Sequence, residues 1–160
     1  VVDLGCGDGT LTVEMARFAH RVVGVDFNPD TLAAARQRID RLGLRNVTLL
    51  AENVNELPLD FGSVDVAFFS QSLHHLDDPK SGFREAFRIL RPGGCVFVME
   101  LAAHREQWVL EKLNHKWLGF ERDNLLSIMQ ETGLTELQSE LLPLRREELF
   151  QVMLASGMKA

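Results

Sequence analysis

Three groups of residues in this 160-residue chain have the types and spacing that chemistry needs. The first opens it: Val1-Val2-Asp3-Leu4-Gly5-Cys6-Gly7-Asp8-Gly9, an apolar strand running into three alternating glycines, with Asp3 and Asp8 on either side of the first two. Gly has no Cβ and tolerates positive φ, so such a turn lets a ligand lie against bare backbone. Strand-to-helix turns of this kind are common in nucleotide-binding folds. The acids select among ligands. A dinucleotide pyrophosphate would be repelled by Asp3 and Asp8, and Thr10 stands where a G-x-G-x-x-G pattern needs a small third residue. Both disfavour a nicotinamide-dependent oxidoreductase, whereas a ligand of net positive charge would be welcome. Asp26 ends a second apolar run; an acid there hydrogen-bonds ribose hydroxyls in doubly wound folds. The alternative is a turn or cap residue before Asn28-Pro29. The second group is His74-His75, whose neutral imidazoles can take a proton near pH 7; the alternative is one packed and one solvated histidine. The third is a stripe, His104, Trp108, Glu111 and His115, on one side of a helix read over 106–117. It spans almost three turns, too long for one ion to meet both histidines, so no metal is expected there.

The elements that must position these groups alternate. Apolar runs at Val1–Leu4, Arg21–Asp26, Val47–Leu50, Val64–Ser70 and Cys95–Leu101 read as strands. Thr10–Phe18 has helical spacing, Asn28-Pro29 opens a helix that Gly43 stops, and Asp78-Pro79 opens another before the Pro92-Gly93-Gly94 turn. Continuous apolar strands alternating with helices indicate a parallel sheet covered on both faces. After a helix over Arg122–Thr132, Leu134–Leu142 and Leu149–Ser156 read as two strands. Their link, Pro143–Glu148, is too short for a crossover, so the pair is antiparallel. One domain spans 1–160. Apolar residues make up 46% and charged residues 25%, as in ordinary globular chains. A net charge of −6 gives no general attraction to nucleic acid or anionic membrane. The two cysteines, Cys6 and Cys95, read as small buried residues, and a reducing cytoplasm is the simplest location. Val1 falls inside a strand, so the chain reads as N-terminally truncated.

Asp3-Leu4-Gly5-Cys6-Gly7-Asp8-Gly9 resembles motif I, D/E-x-G-x-G-x-G, of the class I S-adenosylmethionine-dependent methyltransferases. Later segments are similar to that family in order: Asn53-Val54-Asn55-Glu56-Leu57-Pro58, the run Val64 to Leu76, and Arg88-Ile89-Leu90-Arg91-Pro92-Gly93-Gly94. The resemblance implies a Rossmann-like α/β fold: a mixed seven-stranded sheet of order 3-2-1-4-5-7-6, closed by a C-terminal antiparallel hairpin. It implies a cofactor site of Asp3, Gly5, Cys6 and Gly7 from motif I, Asp26 on the ribose, and Phe27 beside the adenine unless it is core. Asn53 stands where relatives usually carry an Asp that accepts from the adenine amino group; its amide oxygen accepts without charge. The Val54 N–H would meet adenine, and Ser70 and Gln71 would line the methyl-donor site. His74 and His75 are the catalytic candidates, with no dedicated base required if the acceptor arrives deprotonated. Glu100 either points at substrate or forms a surface pair.

The function expected is methyl transfer from S-adenosylmethionine to a small-molecule acceptor, leaving S-adenosylhomocysteine. The segment His104 to Phe120 is similar to methyltransferase domains of the ubiquinone/menaquinone group that often follow an ArsR-type winged-helix domain. An upstream winged helix would favour the alternative, an S-adenosylmethionine-sensing module of a transcriptional regulator. Arsenite methylation is rejected, because neither Cys6 nor Cys95 belongs to a thiolate triad.

Overall fold

The computed structural model describes residues 1–144 and 148–160. The apolar runs become strands β1 (Val2–Leu4), β2 (Val22–Asp26), β3 (Val47–Ala51), β4 (Val64–Ser70) and β5 (Leu90–Leu101), followed by β6 (Leu134–Leu141) and β7 (Val152–Lys159). They form one sheet of order β3-β2-β1-β4-β5-β7-β6. The first five pair in parallel, and β7 lies antiparallel between β5 and β6. This is the expected order. β1 is buried along its length, as a central parallel strand must be.

The helices are α1 (Thr10–Met15), α2 (Pro29–Leu42), α3 (Pro79–Ile89), α4 (Trp108–Lys112) and α5 (Arg122–Glu131). Local chemistry sets their ends. Asn28 Oδ1 accepts from Asp30 N at 2.9 Å and starts α2, and Gly43, at φ 65°, ends it. Asp78 Oδ1 accepts from Lys80 N at 3.0 Å and starts α3. The main core lies between the sheet and α3 and α5, where Phe69, Phe83, Ile89, Leu125, Met129, Leu134 and Met153 meet. No described helix is long and apolar enough to cross a membrane.

Four boundaries differ from the sequence reading by more than one residue, each for a local reason. The first helix stops at Met15, and Phe18 is 92% exposed rather than part of an apolar face. The helix read over 106–117 shrinks to α4, because the chain turns at Asn114 in the left-handed region, φ 55°. The last strand starts at Val152, not Leu149, and runs to Lys159. Pro92-Gly93-Gly94 bulges out within β5: Val64 pairs with Leu90, but Val66 pairs with Cys95. The link Pro143–Glu148 falls partly outside the described residues.

The end of β7 is tied inward by one cation. Lys159 Nζ donates to Phe87 O and Leu90 O, both at 2.7 Å, and lies over the Phe61 and Phe87 rings. Charged hydrogen bonds contribute roughly 1.5–3 kcal/mol each, and losing the donor strands two carbonyls. Lys159→Met is therefore expected to cost about 2–3 kcal/mol in denaturant unfolding, with an unchanged slope.

Candidate functional site

The carboxyl ends of β1, β2, β3 and β4 share one edge of the sheet. Chain connections run one way from β1 and the other way from β4, so a crevice opens there. The turn after β1 fills its floor. Gly5 N and Cys6 N both donate to Val25 O at 2.8 Å, which folds the turn over β2. A Cβ on Gly5 would stand 2.4 Å from Ser72 Cβ, so only glycine lets this turn meet the turn after β4. Gly7, at φ 52°, is the opposite case: a Cβ there would meet nothing within 4 Å. The backbone at Gly7 therefore faces open space that a ligand can approach.

The two acids of the turn have separated roles. Asp8 is spent locally: Oδ1 accepts from Thr10 N and Oγ1, and Oδ2 accepts from Arg38 at 2.6 Å. These contacts hold its pKa low, the Thr10 hydroxyl contributing most. Asp3 is 1% exposed. Its Oδ2 accepts from Thr12 Oγ1 at 2.6 Å, while its Oδ1 is buried with no partner. Burial raises its pKa to about 6, with the Thr12 hydroxyl opposing and the Asp26 charge adding. The negative charge expected from two carboxylates thus falls on one.

Asp26 serves the turn reading directly. Oδ2 accepts from Gly7 N and Oδ1 from Asn28 N, both at 2.9 Å, so it clamps the glycine turn to the end of β2. Each oxygen keeps a further lone pair. Phe27 is 77% exposed and not core. Asn53 is exposed and its Oδ1 accepts from Asn55 N at 3.0 Å, a loop-closing bond. Val54 is buried in the core, and the Cys6 thiol, close to Gly24, is pushed up to about 12 by burial. Ser70 ends β4, and Gln71 follows in the left-handed region at φ 49°, its N–H donating to Met99 O at 2.7 Å. A non-glycine residue held there is backbone strain at the mouth of the crevice.

Beyond Gln71, a single 3-10 turn, Leu73–His75, carries both histidines. Ser72 Oγ donates to Leu4 O at 2.6 Å and joins this turn to β1. Glu100, near the end of β5, is fully buried and forms no surface pair. Its Oε2 accepts from Leu73 N at 3.0 Å and His74 N at 3.3 Å. Its Oε1 accepts from Leu101 N at 2.7 Å and lies 2.6 Å from His74 Nδ1. A carboxylate that accepts this way leaves the proton on His74 Nδ1 and the lone pair on Nε2.

The expected stripe on one helix does not form. His115 lies past Asn114, and its ring centroid is 4.1 Å from that of His74 and 5.0 Å from that of His75. His104 instead packs on Phe150 at 4.5 Å. Helical spacing misled because Leu113 and Trp117, assigned to the apolar side, are 46% and 38% exposed. The signal for the real arrangement was Asn114, a residue that tolerates positive φ and so permits a helix stop. Burial first, then the neighbouring imidazoles, lower His115 to about 4 and hold His75 below its usual value.

A family model described as "Methyltransferase domain" matches residues 2–98. A probable S-adenosylmethionine-dependent methyltransferase of Mycolicibacterium smegmatis is 32% identical over 87% of this chain and 58% of its own length. The protein YcgJ of Bacillus subtilis superposes with a TM-score of 0.85 at 15% identity, over 99% of this chain and 90% of that one. Phosphoethanolamine N-methyltransferase 2 of Haemonchus contortus, solved with S-adenosyl-L-methionine, gives 0.82 at 17% identity, over 99% of this chain and 48% of that one. This chain spans 58% or less of the first curated relatives it matches.

The raised pKa of Asp3 has a definite sign. Its folded value, about 6, lies above the 3.8 of an unfolded aspartate, so the charged form is disfavoured in the fold. The stability it withholds returns as pH falls from about 6 to below about 4. At 1.36 kcal/mol per unit this is up to roughly 3 kcal/mol. Asp3→Asn is therefore expected to raise ligand-free stability at pH 7.5 by about 1–2 kcal/mol, since the amide itself lacks one partner. The gain should vanish near pH 5 and turn into a small loss by pH 4, where the carboxyl is largely protonated in both states and the amide cost remains. Melting curves across that range measure it.

Proposed function

Because this chain belongs to the methyltransferase-domain family, we propose that it transfers the methyl group of S-adenosylmethionine to a small-molecule acceptor and releases S-adenosylhomocysteine. The observation that carries the reading is Asp3: a buried carboxyl with one unpartnered oxygen beneath an open glycine turn. Such an oxygen wants a donor, and a ligand bearing an ammonium and a sulfonium supplies positive charge to the crevice. A pyrophosphate would bring charge of the wrong sign.

Asp3, Gly5, Cys6 and Gly7 form the floor on which the methionine end rests, with Cys6 acting through the shape of the turn. Asp26 offers its remaining lone pairs to the ribose hydroxyls while keeping Gly7 in place. Phe27 covers the adenine with an exposed ring. Asn53 and Val54 border the base from the loop after β3, and Ser70 and Gln71 flank the methyl donor. When bound, S-adenosylmethionine supplies an electrophilic methyl on a good leaving group. The protein contributes alignment of the acceptor and exclusion of water. His74 and His75 are the groups placed to help the acceptor lose a proton.

Two measurements test this. S-adenosylhomocysteine should raise the melting temperature where NAD does not, and labelled methyl should pass to a member of an acceptor panel. Stabilisation by NAD alone would overturn the reading. Asp26 gives the sharper test. Asp26→Ala should weaken S-adenosylhomocysteine at least about tenfold, or 1.4 kcal/mol, by titration calorimetry. It should also cost about 1–3 kcal/mol of stability, because two backbone N–H groups lose their acceptor. Asp26→Asn should lose less of both. Unchanged affinity in a folded Asp26→Ala protein would remove the ribose assignment.

A further inference from the structure

We propose that His74, His75 and His115 bind one transition-metal dication of the zinc or cobalt kind beside the cofactor crevice. One ring nitrogen from each histidine lies within 4.8 Å of one from each of the others. Three imidazoles with an open fourth position are a donor set used for catalytic zinc. The absence of thiolate or carboxylate from the set disfavours copper(I), magnesium and calcium.

Two features show a built site rather than a chance cluster. His74 Nδ1 is held by the buried Glu100 at 2.6 Å, so its Nε2 is fixed as the free nitrogen. A carboxylate behind a ligating histidine is the usual support of a metal ligand. His115 is 9% exposed, and its Nδ1 is buried with no hydrogen-bond partner. A buried nitrogen without a partner is costly, and a cation would satisfy it. The two carrying segments are also locked together. Lys116 N donates to His74 O at 2.7 Å, and Trp117 Nε1 donates to Leu76 O at 2.8 Å. Zinc–nitrogen bonds of about 2.0–2.1 Å put ligand nitrogens about 3.4 Å apart. The rings must therefore close by at most about 1.4 Å, and the exposed side of His75 leaves room for that.

The position gives the ion a role, which rests on the methyl-transfer reading and replaces direct proton abstraction by His74 or His75, whose lone pairs the ion would hold. Ser72, one residue before the histidine turn, donates to Leu4 O at 2.6 Å, and a Cβ on Gly5 would stand 2.4 Å from its Cβ, so the histidine turn adjoins the glycine turn. An acceptor oxygen or sulfur in the fourth position would have its proton acidity raised. The proton leaves to solvent, and the freed lone pair attacks the methyl carbon. The carbon–sulfur bond breaks in the same step as the new bond forms, its electrons go to sulfur, and the metal keeps its oxidation state. The acceptor class is accordingly an ionisable hydroxyl or thiol compound. A protonated amine has no lone pair for the ion.

Cobalt(II) is the probe, added to chelator-treated protein, with S-adenosylhomocysteine binding measured on the same samples. The expected result is one equivalent bound, with the visible absorption of a tetrahedral nitrogen-ligated ion. His75→Asn, at an exposed position, and His115→Asn should each weaken it about 100-fold or more. Glu100→Gln should weaken it about 10–100-fold. His20→Ala, remote and exposed, should leave it unchanged. No saturable visible spectrum, or one that survives both histidine variants, overturns the site. If that protein still binds S-adenosylhomocysteine, the methyl-transfer reading stands without it. Cobalt bound without any S-adenosylhomocysteine affinity supports the site and removes its proposed role.

Discussion

A buried carboxylate organises the turn after β4 and the strap packed on it. Glu100 has no exposure to water, and its oxygens accept from Leu73 N, His74 N and Leu101 N and meet His74 Nδ1. A buried charge is tolerated only when its lone pairs are filled this completely. The geometry follows from that demand. The chain after β4 must bend sharply to bring two backbone N–H groups to one oxygen, which produces the 3-10 turn. That turn sets His74 against β5, and the loop of His115 closes over it.

The glycine turn follows a different rule. There the decisive quantity is unbalanced charge. Arg38 and Thr10 neutralise Asp8, while Asp3 stays buried with one oxygen idle. Asp26 is divided between a structural duty and whatever its remaining lone pairs reach. A turn built this way is held rigid by backbone bonds and by Asp26, and it keeps one buried carboxyl oxygen without a partner. Rigid backbone around a group whose bonding is left incomplete is what preorganisation means in physical terms.

Much of this was legible in the residues. Strand order, hairpin and helix starts followed from apolar runs, Asn28-Pro29 and Asp78-Pro79, because those signals act over a few neighbouring residues. Asp3 and the glycines were legible for the same reason. The split between Asp3 and Asp8 was not, since it depends on Arg38, thirty positions away. The histidine cluster was hidden more deeply. His74 and His115 are forty-one residues apart, and periodicity assigned His115 to a helix that ends before it. Glu100 was open between two readings, because sequence cannot tell a buried acid with four partners from a surface one. Long-range hydrogen bonding decides such cases, and local pattern carries no trace of it.

The family match ends at residue 98, two positions before Glu100. The strap from Ala102 to Phe120 is fastened at its ends by Ala103 N to Phe120 O and His104 N to Leu118 O, and in its span by the bonds to the histidine turn. None of those bonds touches the glycine turn or Asp26. A substitution in the strap can therefore shift the histidine turn while every bond that holds the glycine turn stays in place.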